Sequence, residues 1–346
     1  MALVLSQQSA GLAEFDAFAG HQDRQLDAAV SLVQQLERLL DFSEGPTGAL
    51  VVNNHTWLGQ MGFLEFLRDV GKYYRVGTML KKDAVAARLN SDAGISYTEF
   101  SYQILQGYDY LELHRQYGCV LQTGGSDQWG NLTSGTDLIH RAEGRSVHAI
   151  GTPLITNSDG TKFGKSEGNA IWLDPVMCSP YAMYQFWLNT DDADVIDRLK
   201  VFTFLTRAEI EEYGTKVAEE PFRRESQRRL ALEVTALVHG EDAAAAAIAA
   251  SAALFGQGDL AELDAATLAA AIAELPSARV EEHDTVVHAL VATGLCSSAG
   301  EARRAIAQGG VSLNNAKVSG EDQTLAGAAL AGGAAVLRRG KKTLAG

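Results

Sequence analysis

Two lysines three positions apart, in Asp159-Gly160-Thr161-Lys162-Phe163-Gly164-Lys165-Ser166, are the most pointed chemical feature of the sequence. Glycines on both sides of Lys162 give the backbone a wide conformational choice. Two ammonium groups brought near one point suit a polyphosphate whose charge grows as a bond breaks. The spacing G-x-x-x-x-G-K-[ST] is absent, which excludes a phosphate loop of that type. A plain surface turn with two lysines is the competing reading of the octamer.

Two further segments carry polar groups at telling positions. Gly124-Gly125-Ser126-Asp127-Gln128-Trp129-Gly130-Asn131 directly follows the strand-like run Cys119–Gln122. A glycine-rich turn at a strand's carboxyl end is where open α/β sheets bind ligands. Asp127 has acceptors for ribose hydroxyls, and Gln128 offers both a donor and an acceptor; a turn that only caps the next helix is the plainer reading. Tyr102, Gln106 and Asp109 are spaced by four and three residues, which puts them on one face of a helix. That helix is otherwise apolar (Phe100, Ile104, Leu105, Leu111), so an aspartate among them needs partners. A ligand-facing stripe and ordinary half-buried polar residues are both open.

The elements that must position these groups follow from periodicity. Runs at 48–52, 119–122 and 147–150 are strand-like, and helical periods lie between them at Phe63–Tyr73, Lys82–Asn90, Thr98–Gly118 and Leu132–Ala142. Strand and helix in alternation predict a parallel α/β sheet over residues 1–190. From 191 to 276 strands vanish and the chain becomes rich in Ala, Glu and Arg, as in Pro221–His239 and Asp242–Phe255, which predicts an α-helical domain. A polar stretch, Ser277–Asp284, reads as a linker. The region 285–346 is small and glycine-rich, with Arg303, Arg304, Lys317, Arg338, Arg339, Lys341 and Lys342.

Composition bounds the function. The chain has 346 residues, 46% of them hydrophobic and 21% charged, so a packed core is expected and wholesale disorder is not. A net charge of −14 excludes a generally basic nucleic-acid coat protein, while a local basic patch can still bind RNA. Cys119, Cys178 and Cys296 lie far apart without a C-x-x-C pair, so neither a disulfide framework nor a metal site is expected. No apolar run is long enough for a membrane helix and no signal peptide is evident, so a cytoplasmic location is expected.

The longer segments "LQTGGSDQWGNLTSGTDLIHR", "DGTKFGKSEGNAIWLD" and "SPYAMYQFWLNTDDADV" resemble bacterial tyrosyl-tRNA synthetases, which are class I aminoacyl-tRNA synthetases. "VVNNHTWLGQMGFLEFLRDVGK" and "GISYTEFSYQILQGYDYLELHRQYGC" agree with the same family, and the resemblance runs over residues 22–346. It implies a Rossmann-like parallel-sheet catalytic domain, an α-helical domain and a small α+β, S4-like RNA-binding domain at 285–346. It also implies L-tyrosine, ATP with Mg²⁺ and tRNA(Tyr) as the molecules handled, and a homodimer with Tyr97 at its interface.

Residue by residue, the resemblance gives Asp109 the phenolic O–H of tyrosine, and Tyr102 and Gln106 the α-amino group. Gln122 and Gln128 would line the tyrosine pocket, with Asn54 and Trp57 beside it. Gly125 and Asp127 would face the adenosine ribose. Lys162 and Lys165 would contact the phosphates, with Ser166 steadying the loop. Arg303, Arg304, Lys317, Arg338 and Arg339 would meet RNA.

The sequence also departs from the family. The family's His-x-Gly-His, which cradles ATP phosphates, occurs nowhere, and neither does the first-strand tyrosine that shares the phenol with the aspartate. Ala2–Leu5 stands in place of the family's second strand, so the catalytic domain is expected to be incomplete at its N terminus, with a gap in a buried sheet. Two functions follow as alternatives: a tyrosine–tRNA ligase impaired by that loss, or a noncatalytic RNA- or partner-binding paralogue.

Overall fold

The computed structural model describes residues 2–5, 33–161, 163, 171–340 and 343–346. They fall into two compact units, residues 1–163 and 164–346.

The first unit is α/β, and its strand pairs run parallel. β1 (Ala2–Leu5) pairs in register with β2 (Leu50–Asn53). Short helices follow: α1 (His55–Leu58), α2 (Phe63–Asp69), α3 (Val76–Met79) and α4 (Asp83–Leu89). The helix read from the sequence over Phe63–Tyr73 is broken, because α2 ends at Asp69 and Gly71–Tyr73 tightens into a 3₁₀ turn. Gly71, a poor helix former, opens that turn while Val70 anchors it in the core.

The long helix α5 spans Tyr97–Tyr117. Ser96 caps it by accepting from the Glu99 N–H (3.1 Å), and Gly118 ends it at φ 65°, a left-handed conformation glycine adopts freely. β3 (Leu121–Gly125), a 3₁₀ turn at Ser126–Gln128, α6 (Trp129–Glu143) and β4 (His148–Thr152) then form one strand–helix–strand unit. Gly124 and Gly125, expected in a turn, are the last residues of β3, opposite Gly151 and Thr152. Among the described residues the β1–β2 and β3–β4 ladders are separate.

The packing of α5 on α6 sets the geometry of this unit. The core gathers Tyr108, Tyr110, Leu111 and Leu113 of α5 with Leu138 and Ile139 of α6, Val52 of β2 and Trp57 of α1. A side chain on Gly135 of α6 would stand 2.7 Å from the Tyr110 ring, so only glycine allows the approach. The Tyr110 hydroxyl then reaches the His148 carbonyl (2.8 Å) and ties α5 to the start of β4.

The second unit opens with helices. α7 (Pro180–Leu188) has Ser179 as its cap and proline in its first turn. α8 (Val195–Phe202) follows, and α9 (Arg207–Glu219) carries a reciprocal Thr206/Glu209 capping box. α10 (Glu225–His239), α11 (Glu241–Leu254) and α12 (Ala265–Ala273) complete the helical region. In α11, Ala244, Ala247, Ala250 and Ala253 face the core, where small side chains admit close neighbours.

The tail holds α13 (Val286–Ala292), α14 (Ala299–Ala307) and four short strands. β5 (Val311–Leu313), β6 (Ala316–Lys317), β7 (Leu337–Arg339) and β8 (Thr343–Ala345) form an antiparallel sheet in the order β6-β5-β7-β8. Val286, Leu290, Ile306, Val311, Leu313 and Leu337 build a core of its own. Asn314 and Asn315, at φ 47° and 66°, make the two-residue hairpin between β5 and β6.

These contacts predict opposite outcomes for two glycines. Gly135→Ala should lower the first unit's stability in urea unfolding by about 1–3 kcal/mol, because the Tyr110 ring must shift. Gly214→Ala, inside α9 with open space around it, should raise stability by about 0.5–1 kcal/mol.

Candidate active site

The site is organised by one carboxylate. Asp109 lies on α5 with 2% of its surface exposed. Its Oδ1 accepts from the Trp57 indole N–H (2.8 Å) and its Oδ2 from the Asn54 amide (3.1 Å). Both donors come from the turn where β2 runs into α1, and both are buried themselves. Burial raises the Asp109 carboxyl to about 6, against the two hydrogen bonds, which lower it. Its bonded partners are neutral, so the charge is held by dipoles alone. An ionised carboxylate has about four lone-pair directions, and two are used here, so a third donor can still be accepted.

Tyr102 and Gln106 lie on the same face of α5, two turns and one turn before Asp109 respectively, and are half-buried. Gln122 of β3 has a buried Oε1 that accepts no hydrogen bond among the described residues. Asp127 and Gln128 sit in the 3₁₀ turn at the carboxyl end of β3, and Gln128 Oε1 accepts from Asn131 (2.9 Å). A side chain on Gly125 would stand 2.7 Å from Asp127 Oδ1, so glycine leaves that carboxylate its place over the strand end. The structure therefore joins Asn54, Trp57 and Asp109 directly. The Gln122–Gln128 segment shares no hydrogen bond with Tyr102, Gln106 or Asp109 among the described residues.

Of the phosphate-loop octamer, Lys162, Lys165 and Ser166 lie outside the described residues. The turn leading into it is well defined. Asp159 Oδ1 accepts from the backbone N–H (2.9 Å) and hydroxyl (2.6 Å) of Thr161, which holds its carboxyl below the usual range. Gly160 sits at φ 83°, and the Phe163 N–H returns to the Ile155 carbonyl (3.0 Å). A tight reversal thus runs from Asn157 to Phe163, the last described residue of the octamer.

In the tail, Arg303, Arg304 and Lys317 are exposed on α14 and the neighbouring β6. Arg303 pairs with Glu321 (3.1 Å), an exposed contact of the kind that contributes little. Arg339 is committed elsewhere, donating to Glu301 (2.7 Å) and to the Leu295 carbonyl (2.6 Å). Lys341 and Lys342 lie outside the described residues.

Two features escape a reading of the sequence. The indole of Trp57 was expected beside the pocket, yet its bond to Asp109 spans 52 positions. Lys82, which no motif singles out, donates to the Ser134 hydroxyl (2.5 Å) and to the Gly130 carbonyl, fixing the first turn of α6. Its burial lowers the ammonium's pKa. Only a tertiary contact could have revealed it.

Comparison with known proteins identifies the family. The family model "tRNA synthetases class I (W and Y)" matches residues 14–256, and "Tyrosine--tRNA ligase SYY-like C-terminal domain" matches 267–345. The Leifsonia xyli tyrosine–tRNA ligase is 68% identical over 317 residues, covering 91% of this chain and 72% of that protein. The Streptomyces avermitilis tyrosine–tRNA ligase is 61% identical over 313 residues, covering 90% and 74%. A solved structure of C-terminally truncated Aspergillus nidulans mitochondrial tyrosyl-tRNA synthetase superposes with a TM-score of 0.53 at 33% identity, covering 65% of this chain and 64% of that one. With its parallel strand pairs, its Asp109 cluster and matches over both units, the chain belongs to the class I tRNA synthetases, in the tyrosine–tRNA ligase family.

Proposed function

We propose that the chain binds L-tyrosine with its phenol donating to Asp109, as part of an ATP-dependent tyrosine–tRNA ligase. The observation that carries this reading is a buried carboxylate held by two neutral donors with acceptor capacity to spare. A phenylalanine ring would leave that capacity unused in a desolvated pocket, which costs about 1–3 kcal/mol or more for a charged group.

In this reading Tyr102 and Gln106 meet the α-amino group, and Gln122 and Gln128 face the carboxylate end of the substrate. Asp127 holds the ribose of ATP over Gly125. A carboxylate oxygen of tyrosine attacks the α-phosphorus, the bond to the β,γ-phosphates breaks, and pyrophosphate leaves as tyrosyl-adenylate forms. No general base is needed, because the nucleophile is already ionised; positioning and charge stabilisation carry the step. Lys162 and Lys165 neutralise the charge growing on pyrophosphate, with Ser166 supporting their loop. Mg²⁺ arrives with ATP as part of that substrate; the described residues hold no cluster of three metal-ligating side chains. A terminal ribose hydroxyl of tRNA(Tyr) then attacks the adenylate carbonyl and AMP departs.

We assign residues 1–190 to the catalytic domain, 191–276 to the helical domain and 285–346 to the RNA-binding domain. We also assign Tyr97, 65% exposed at the start of α5, to a homodimer interface. Among the described residues no helix is long and apolar enough to cross a membrane, and the reading places the protein in the cytoplasm.

The sequence holds no His-x-Gly-His, and this favours a second reading, a chain that binds tRNA without activating tyrosine. Tyrosine-dependent exchange of pyrophosphate into ATP decides between them. The ligase reading expects exchange with tyrosine and none with tryptophan; absence of exchange with tyrosine leaves the RNA-binding reading. Where exchange occurs, Asp109→Ala should bring the rates with tyrosine and phenylalanine together, and an unchanged preference would remove the phenol from Asp109.

The tail gives a separate prediction. Arg303→Ala with Arg304→Ala should flatten the dependence of tRNA affinity on salt by about one to two units of log–log slope, one per lost phosphate contact. A slope unmoved by the pair would take these residues out of the RNA face.

A further inference from the structure

The tail rests on the helical region through a small set of specific contacts, and two of them meet at one helix end. α11 closes with Gly256 at φ 79°, its N–H returning to the Ala253 carbonyl (3.1 Å) and that of Gln257 to Ala252 (2.9 Å). This is the double-bonded ending that glycine permits, and it leaves the negative end of the helix dipole facing outward. Two tail residues cover it. Asn315, in the β5–β6 turn, donates its side-chain amide to the Ala253 carbonyl (2.7 Å). Arg338, in the middle of β7, lays its guanidinium on Gly256 so closely that a side chain there would stand 2.6 Å from Nη1. The guanidinium has no acidic partner among the described residues, so the helix end is its electrostatic counterpart.

The backbone explains why Asn315 can reach. Hairpin geometry holds it in the left-handed region, which asparagine tolerates, and this turns its side chain away from the tail's own core. Its neighbour Asn314 points inward instead, accepting from the Val336 N–H (2.8 Å) and donating to Ala328 (2.5 Å). One turn therefore closes the tail's sheet with its first residue and grips another domain with its second.

We propose that Asn315 and Arg338 clamp the tail to the carboxyl end of α11, fixing its orientation before any RNA arrives, and that Arg338 is a positioning residue and not a phosphate contact. The first half stands on the intramolecular contacts alone. The second rests on the proposed tRNA reading, in which the exposed Arg303 and Arg304 form the RNA face.

Trypsin tests the clamp in the full chain, because Arg279 is exposed in the segment joining the two parts, next to an Ala278 N–H bonded to the Gly346 carbonyl (3.2 Å). Asn315→Ala should speed cleavage after Arg279 by about two- to tenfold, the range one net hydrogen bond gives, Arg338→Ala by about two- to fivefold, the range a cation at a helix carboxyl end gives, and the pair should exceed either. The released fragment should stay resistant, showing a tail undocked but folded. Arg338→Lys, which keeps a charge at the helix end, should cleave more slowly than Arg338→Ala. An unchanged rate in the double variant overturns the clamp, as does a tail digested along with the cut. For the second half, Arg338→Ala should leave the salt slope of tRNA binding unchanged; a slope lowered as by the Arg303 and Arg304 substitutions overturns it. Failure of the chain to bind tRNA would strike the RNA reading while the cleavage rates still decide the clamp.

Discussion

A carboxylate buried without a cation is an expensive thing to keep ionised, and the first unit is arranged around that constraint. Asp109 is tolerable because Asn54 and Trp57 aim two N–H groups at it from the end of β2. Those two residues hold their places only while α1 packs on α5. That contact belongs to the same core as Tyr110, Leu138 and Ile139, in which the glycine at 135 lets α6 come close. The chemistry at Asp109 and the packing of two helices are therefore one problem. A shift of α5 that loosened either donor would strand a charge in a dry site, a loss of several kcal/mol by the usual reckoning for unpaired buried charge.

The second unit solves a different problem with the same means. Its tail is small, with a separate core, and its basic residues divide by burial. Arg303, Arg304 and Lys317 face solvent, while Arg338 and Arg339 are half-buried, Arg339 donating to Glu301 and the Leu295 carbonyl and Arg338 lying against Gly256. Lys82 plays the corresponding structural part in the first unit, bracing the helix that follows the Asp127–Gln128 turn.

Much of this was legible in the residues. The spacing of Tyr102, Gln106 and Asp109 gave a helical face, and α5 has that face, because its period, its Ser96 cap and its Gly118 stop all agree. The parallel strands were legible for the same reason, although β3 runs on through Gly124 and Gly125. There the backbone ladder to β4 outweighs glycine's preference for turns. What periodicity could not give was partnership across long separations. Asp109 needed partners, but that they would be Asn54 and Trp57 in hydrogen-bonding contact depends on how α1 packs on α5. The basic residues of the tail were countable, yet which ones face solvent depends on strand register and on where the carboxyl end of α11 lies.

If Asp109 is the desolvated acceptor of the substrate phenol, as proposed, its own titration must show it. Carbon-13 spectroscopy of the labelled Asp109 carboxyl should give a midpoint near 6 in the free protein, as burial requires. Since a donated phenolic hydrogen bond favours the ionised form, saturating L-tyrosine should lower that midpoint, and by linkage tyrosine should bind less tightly as pH falls below 6. L-phenylalanine should lower neither. A midpoint in the ordinary carboxylate range, or one that tyrosine leaves in place, would contradict the account.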